Sequence, residues 1–330
     1  MTHPWQPGAV TGIGSLPGND PREASTLVLG ELPDLPHLPE LPARGPGAAM
    51  IGRAASLLVE LPVEIVPTGW RLTAGAGREL RAARDNLSRD LDALEELGAG
   101  YTGPLKLQVA GPWTLAASLE LPTGHRLVTD HGAVRDLVES LAEGVRTHLA
   151  DVAARIPGAE LVLQLDEPAL PAVLGGRVPT PSGYGTVRSV DIPVVGQALQ
   201  DVLAVAAAGS RVVHCCADDV PLGLLRSAGA DALSVDAALL TTSHYDQLGE
   251  AVEAGVSLWL GVLPTGQAPS LDAARTRIHD IWSELGFNRE QLAASVVPTP
   301  ACGLAGASPA QVRRTLAVLR DVGASLRDES

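Results

Sequence analysis

Two of the three cysteines in this chain stand where they could bind a metal ion together with a histidine. His214 and Cys216 are two residues apart at the end of the run Arg-Val-Val, and Cys302 follows much later, in Pro-Thr-Pro-Ala-Cys-Gly. In a β-strand that spacing places both side chains on one face of the strand. Imidazole and thiolate suit zinc, a borderline-soft ion. If the fold brings Cys302 to the other two, one carboxylate would complete a four-coordinate site.

An alternative interpretation is that the cysteines are small apolar core residues, since free cysteine is often buried. We apply it to Cys215, which points away from His214 and Cys216 in a strand. For the ordered set of His214, Cys216 and Cys302 we favour zinc. A closed structural zinc site fits less well with ligands from separate strand ends, so the pattern predicts an open, catalytic site.

Apolar runs that alternate with amphipathic segments must position these residues. We predict β-strands at roughly 9–15, 62–66, 105–111, 161–166, 211–216, 232–236, 257–263 and 294–299, with boundary errors of about 2–4 residues. Helices are predicted over residues 78–98, 132–155, 195–208, 221–228, 243–254, 270–286 and 308–327. Eight strands alternating with helices predict an α/β fold, a (βα)8 TIM barrel that forms a single domain over residues 1–330. An open doubly wound sheet is the alternative.

Polar residues gather where these strands end. Because the carboxyl ends of barrel strands share one face, and active sites are built there, we expect the polar clusters to form one site. Asp166 and Glu167 are adjacent acids at the end of an apolar strand, and we favour a functional role over a capped turn. The clusters are residues 12–15, 110–113, 164–168, 214–216, 234–236 and 298–302.

The composition excludes several classes of partner. The net charge is -14 and Lys106 is the only lysine, which argues against a surface for nucleic acid or an anionic membrane. We identify no signal peptide at the N-terminus and no apolar stretch of transmembrane length. Three cysteines without a leader are typical of the reducing cytoplasm, and we predict a cytoplasmic location.

Residues 31–47 interrupt the alternating pattern with proline at nearly every third position, in Glu-Leu-Pro-Asp-Leu-Pro-His-Leu-Pro-Glu-Leu-Pro. Such spacing favours an extended polyproline conformation. A recognition motif is one interpretation. We favour a rigid excursion that packs its leucines onto the barrel.

Five motifs together resemble the C-terminal catalytic barrel of cobalamin-independent methionine synthase. They are Ile-Gly-Ser-Leu-Pro from residue 13, Leu-Asp-Glu-Pro-Ala from 165, His-x-Cys from 214, Leu-Ser-Val-Asp from 233 and Cys-Gly-Leu from 302. Each is weak alone, and their order makes the set specific over nearly the whole chain. The resemblance implies a (βα)8 barrel with zinc held by His214, Cys216, Asp236 and Cys302. The family pattern has glutamate where this chain has Asp236, which is one methylene shorter.

The resemblance also implies how an amino-acid acceptor is held. Asp166 would pair with the ammonium group of homocysteine, and Ile13, Gly14 and Ser15 would take its carboxylate through their backbone. A further glutamate is expected on the second strand, where Glu64 is our candidate and Glu60 the fallback. The implied reaction is zinc-dependent methyl transfer to the thiol of homocysteine, giving methionine.

The methyl donor departs from the family pattern. The chain has no room for the N-terminal barrel that helps the family bind folate. Residues 258–266 also lack the histidine that the family uses as proton donor. Short relatives take methyl groups from corrinoids, so we predict a methylcorrinoid or a corrinoid protein as donor. The alternatives are alkyl transfer to a different small thiol, or a non-catalytic protein that binds zinc or an amino acid.

Overall fold

A computed structural model describes residues 3–206 and 209–329. Its main sheet has six parallel strands in the order β3-β5-β6-β7-β8-β9, and a separate three-stranded sheet has the order β1-β2-β4. The strands are β1 (Val63–Val66), β2 (Gly69–Leu72), β3 (Pro104–Ala110), β4 (Leu119–Glu120), β5 (Glu160–Asp166), β6 (Ser210–Cys215), β7 (Ala232–Asp236), β8 (Ser257–Leu263) and β9 (Val296–Pro300). The six parallel strands confirm the last six strand predictions within about two residues.

Helices alternate with the strands of the main sheet. They are α1 (Pro21–Glu31), α2 (Met50–Ala55), α3 (Arg78–Leu97), α4 (Pro112–Ser118), α5 (His131–Arg155), α6 (Leu170–Leu174), α7 (Ile192–Leu203), α8 (Leu222–Ser227), α9 (Thr242–Glu253), α10 (Leu271–Leu285), α11 (Leu292–Ser295) and α12 (Pro309–Asp328). Seven of them confirm the predicted helices. The helix predicted over 195–208 ends at Leu203 and continues as a 3-10 turn to Ala206. Residues 207 and 208 of this predicted helix lie outside the described residues. The same holds for residues 1, 2 and 330 of the predicted domain.

Local sequence explains where the long helices begin and end. The Ser308 side chain accepts a hydrogen bond from the Gln311 amide and Pro309 occupies the first turn of α12, a capping arrangement that satisfies free backbone donors. Asp130 caps α5 in the same way, and α3 ends at Gly98. The strands between these helices are mostly apolar because a parallel sheet is covered on both faces, and every residue of β3 and β8 is buried.

The first two predicted strands differ from the structure. Residues 9–15 form an extended segment outside the named strands, with an isolated parallel bridge from Ser15 to Glu40. The strand predicted at 62–66 exists, but β1 pairs antiparallel with β2 instead of joining the parallel sheet. The two residues Pro67 and Thr68 between them are too few for a parallel crossover, so the chain can only form a hairpin there.

The proline-rich segment lies beside β3, where the second parallel strand was expected. The Lys106 amide donates to the Pro36 carbonyl, and the Leu38 amide donates to the Lys106 carbonyl, both at 2.9 Å. On its other side, the Glu40 amide donates to the Gly14 carbonyl at 3.1 Å. Proline is tolerated here because its missing N–H falls where no ladder bond is made. The segment therefore packs against the sheet as the sequence predicted.

One apolar cluster combines the parallel strands with both extended segments. It is closed by Trp5, whose ring meets Trp259 edge-on with centroids 5.2 Å apart. The extended segments contribute Ala9 and Leu35 to this cluster, so they face the same interior as the strands. Its members are Trp5, Ala9, Leu35, Val162, Val212, Ala232, Trp259 and Val297. A larger cluster lies between the sheet and the helices.

Candidate metal centre and acceptor pocket

His214, Cys216 and Cys302 lie together at the carboxyl end of the parallel sheet. One ligand atom from each of the three lies within 4.8 Å of the others, and the two sulfur atoms are 3.4 Å apart. His214 is the second-last residue of β6, Cys216 follows that strand directly, and Cys302 is in the bend after β9. The spacing of two residues on one strand therefore places imidazole and thiol on one face, as predicted.

The two nitrogens of His214 have different surroundings. Nδ1 is 3.0 Å from the hydroxyl of Ser234 on the adjacent strand β7, whereas Nε2 is buried without a hydrogen-bond partner. A buried unpartnered nitrogen is costly unless something binds it. A histidine that ligates a metal usually has its other nitrogen held by a hydrogen bond of this kind. The residues present therefore fit a zinc ion bound at Nε2 and at the two sulfur atoms.

The two thiols lie close enough to shift each other's pKa. The contact with Cys216, together with His214, lowers the pKa of Cys302 to about 4. The same contact with Cys302, together with burial, raises the pKa of Cys216. Of the two thiols, Cys302 therefore loses its proton more easily.

Cys215 is a packing residue, as the strand alternation predicted. Its side chain is buried in the large apolar cluster between the sheet and the helices. Burial raises the pKa of this thiol to about 12, so it stays protonated and unreactive at neutral pH.

Asp236 ends β7 near the three ligands without joining their cluster. Its carboxylate accepts a hydrogen bond of 2.9 Å from the Ala238 amide and caps a short 3-10 turn. Burial raises the pKa of Asp236, and the nearby charges of Cys302 and His214 also act on it. The structure thus brings three of the four predicted metal ligands together, and ligation by Asp236 stays a prediction.

A cavity of about 220 Å³ opens beside the three ligands. Its lining includes Ile13, Gly14 and Ser15, as predicted, together with Asp166. The Asp166 carboxylate accepts a hydrogen bond of 2.7 Å from Gln164. Burial raises the pKa of Asp166. The neighbouring His214 and Lys106 side chains and the hydrogen bond from Gln164 oppose this rise. Four of the predicted acceptor residues and three of the four predicted metal ligands therefore line one pocket.

Glu40, and not Glu64, brings the second carboxylate to this pocket. Glu64 lies in the β1–β2 hairpin opposite Arg71 and is absent from the cavity lining, whereas Glu40 is part of it. The structure does not bring Glu64 to this cavity, because residues 62–66 do not enter the parallel sheet. Burial raises the pKa of Glu40 to about 7, and the Arg53 guanidinium, with Nε 3.6 Å from the carboxylate, opposes that rise. The sequence signal for Glu40 was weak, because the proline-rich segment also contains the acids Glu31 and Asp34.

Glu167 points away from the pocket. Its carboxylate accepts hydrogen bonds from the Trp113 and Thr114 amides, at 2.9 and 2.8 Å, and from the Thr114 hydroxyl at 2.8 Å. These bonds tie β5 to the start of α4. Of the two adjacent acids, only Asp166 faces the pocket, and Glu167 has a structural role.

The chain belongs to the family described as cobalamin-independent synthase, catalytic domain, which matches residues 97–325. This confirms the resemblance inferred from the motifs and supports methyl transfer to homocysteine as the class of reaction. The family description is at odds with the corrinoid donor that the sequence favoured. A comparison with curated proteins finds no match.

Among solved structures, the chain is similar to a B12-independent methionine synthase from Shewanella sp. W3-18-1 in complex with selenomethionine. The identity is 14% and the TM-score 0.63, over 98% of each chain, which shows a shared fold. Two further similarities have TM-scores too low to support an inference. They are to the tryptophan synthase complex of Pyrococcus furiosus (12% identity, TM-score 0.42, 98% and 99% of the chains) and to GH5_18-E153A from Streptomyces cattleya (16%, 0.45, 97% and 80%). Within the described residues, no helix is long and apolar enough to cross a membrane.

Proposed function

We propose that this protein transfers a methyl group to the thiol of homocysteine, with one zinc ion held by His214, Cys216 and Cys302. The observation that carries the proposal is the convergence of three soft ligand atoms beside a pocket with buried carboxylates. When bound, zinc would supply a thiolate at neutral pH, because coordination deprotonates a thiol. The charges of Cys302 and His214 act on Asp236, and we propose it as the fourth ligand, which the acceptor thiol would displace.

The pocket residues would hold the amino-acid end of the acceptor. Asp166 is 6% exposed and Glu40 is 6% exposed, so both carboxylates meet a ligand in a poorly hydrated space, where a charge pair is strong. We assign the substrate ammonium to Asp166, with Glu40 beside it, and the substrate carboxylate to the backbone of residues 13–15. Two carboxylates favour an acceptor with an ammonium group over a simple thiol, which argues for homocysteine against other small thiols.

We also infer that the two extended segments complete a closed (βα)8 barrel within a single domain. The Thr11 amide donates to the Pro298 carbonyl of β9 at 3.5 Å, and the Leu16 amide donates to the Glu40 carbonyl at 2.8 Å. Together with the bonds from Leu38 to Lys106, these contacts run from β9 through residues 9–16 and 36–40 to β3. A closed ring would leave no unpaired sheet edge.

The reaction is tested with purified, zinc-loaded protein, homocysteine and a methyl donor, with methionine as the measured product. Because the family is described as cobalamin-independent, we expect methionine from 5-methyltetrahydrofolate. Methionine from methylcobalamin alone would overturn this choice of donor. The absence of methionine with both donors would overturn methyl transfer to homocysteine.

The role of the metal is tested separately by zinc X-ray absorption. Adding homocysteine is expected to add one sulfur atom to the zinc coordination shell. The same experiment with 4-mercaptobutanoate, which is homocysteine without its amino group, serves as the comparison. An unchanged spectrum with homocysteine would contradict thiol activation at this site.

A further inference from the structure

Lys106, the only lysine of the chain, is buried beneath the acceptor pocket. Its side chain is 0% exposed, and its Nζ atom donates to the Ile13 carbonyl at 2.7 Å and to the Gln164 side-chain oxygen at 2.8 Å. A third, longer bond of 3.3 Å reaches the Gln108 side-chain oxygen. An ammonium group has three donors and no acceptor, so these three acceptors use its full capacity.

The ammonium group sets the direction of the amide groups around it. Because Nζ only donates, Gln164 must turn its oxygen to Lys106 and its NH₂ group away. That NH₂ group donates to the Asp166 carboxylate at 2.7 Å and to the Ile13 carbonyl at 3.0 Å. Gln108 is oriented in the same way and donates to the Leu38 carbonyl at 2.6 Å. Lys106 is thus connected to Asp166 through one side chain.

Lys106 also holds the segment that carries Glu40. The Lys106 amide donates to the Pro36 carbonyl, and the Lys106 carbonyl accepts from the amide of Leu38, which lies two positions before Glu40. One residue of β3 therefore contacts both extended segments and, through Gln164, the end of β5. Burial lowers the pKa of Lys106 to about 7, and the negative charges of Asp166 and Glu40 oppose that fall.

We propose that Lys106 is a positioning residue for amino-acid recognition: it orients the Asp166 carboxylate through Gln164 and fixes the Ile13 backbone directly. The inference rests on the proposed acceptor pocket, because it concerns how that pocket holds the ammonium group of its ligand. Lys106 itself does not line the cavity. The Ile13 carbonyl keeps its hydrogen bond from Gln164 when Lys106 is lost, whereas Gln164 loses the group that orients it toward Asp166. The loss should therefore weaken recognition of the amino group more than binding of the rest of the ligand.

The test measures binding of the reaction product, which needs no bound metal. Calorimetric titration of the wild-type protein and of Lys106→Met is carried out with methionine and with 4-(methylthio)butanoate, the same molecule without its amino group. Methionine has the same side-chain length to its sulfur as homocysteine. We expect the preference for methionine over the analogue to fall at least tenfold in Lys106→Met, while the Kd for the analogue changes less than threefold.

Gln164→Leu tests the same connection from its other end, since it removes the link to Asp166 and leaves Lys106 in place. It is expected to lower the preference for methionine in the same direction, and it replaces Lys106→Met if that variant does not fold. A preference equal to that of the wild-type protein in a folded variant would overturn the positioning role, even if the thermal midpoint falls.

The wild-type measurements separate this inference from the proposed reaction. A wild-type protein that binds methionine but forms none from homocysteine would contradict methyl transfer and leave the role of Lys106 intact. A wild-type protein that binds neither ligand would overturn the acceptor pocket and the inference together.

Discussion

Asp166 and Glu167 show how two adjacent residues of the same charge acquire different roles. Successive side chains of an extended strand point to opposite faces, so Asp166 faces the pocket and Glu167 faces the first turn of α4. The amides of Trp113 and Thr114 bind Glu167, because the first amides of a helix have no partner within the helix. The same alternation separates Cys215 from its two neighbours at the end of β6.

At the residue scale, we expect Cys302→Ser to abolish zinc binding. Serine keeps the size of the side chain, but its hydroxyl is a poor ligand for zinc compared with a thiolate. Zinc content per protein, measured by atomic emission after purification, should fall to less than about a tenth of the wild-type value. Replacing a residue that only supports a ligand lowers metal affinity about ten- to hundredfold, and the loss of a ligand itself should lower it more.

Cys215→Ala is the matched control for that experiment. It removes a neighbouring thiol that packs in the core, so zinc content should stay at the wild-type level and stability should fall by about 1 kcal/mol. Full retention of zinc by Cys302→Ser, or equal loss in both variants, would contradict the assigned ligands.

At the scale of elements, the proline-rich segment is a wall of the pocket. Leu38 is 1% exposed and packs against Leu105 and Leu107 of β3 and against leucines of α3. Its backbone bonds to Lys106 hold it at the sheet, and Glu40 follows two residues later with its carboxylate in the pocket. A segment held in this way is a fixed part of the site.

Leu38→Ala is expected to destabilise the protein by about 2–5 kcal/mol, because it leaves a cavity in a closely packed core. The free energy of unfolding, measured with urea, provides the check. Val59→Ala, at a position that is 39% exposed, should change that free energy by less than about 0.5 kcal/mol. A loss below about 1 kcal/mol for Leu38→Ala would indicate that the segment packs loosely and moves.

At the scale of the whole molecule, burial of neutral histidine makes the fold sensitive to acid. His148 lies in α5 with 6% of its surface exposed. Burial, assisted by the charge of Arg53, lowers the pKa of His148 to about 4. At pH values between about 4 and the usual histidine pKa of about 6.5, this histidine is protonated in the unfolded chain and neutral in the folded protein. Stability from this group is therefore fully present above pH 6.5 and is lost as the pH falls toward 4.

His148→Leu is expected to lose less stability than the wild-type protein when the pH falls from 7 to 4. The difference should be on the order of 3 kcal/mol, from about 1.4 kcal/mol for each unit of pKa difference. Urea unfolding of both proteins at both pH values measures it, and the comparison removes the opposite effect of the buried carboxylates. His125→Leu, at an exposed histidine, should follow the wild-type protein. Equal losses for all three proteins would contradict this origin of the pH dependence.

The sequence predicted the elements with strong local signals. The six strands of the parallel sheet are mostly apolar runs, and the seven predicted helices have amphipathic periodicity, with side-chain caps at the starts of α5, α10 and α12. Local burial and hydrogen bonding therefore decide these elements. Residues 9–15 and 36–40 make isolated backbone contacts, which local pattern does not reveal. The cytoplasmic location stays a prediction.

By itself, the sequence determined which side chains can bind zinc and which face of β6 they share, because a strand alternates its side chains with a period of two. It also contained the signal of a lysine between two leucines at 105–107, inside a strand in which Gln108 is the only other polar residue. Only the tertiary structure decided which acid reaches the pocket and what Lys106 contacts. Glu40 and Lys106 are 66 positions apart in the chain, and their proximity depends on how distant segments pack beside one another, which local propensity does not encode.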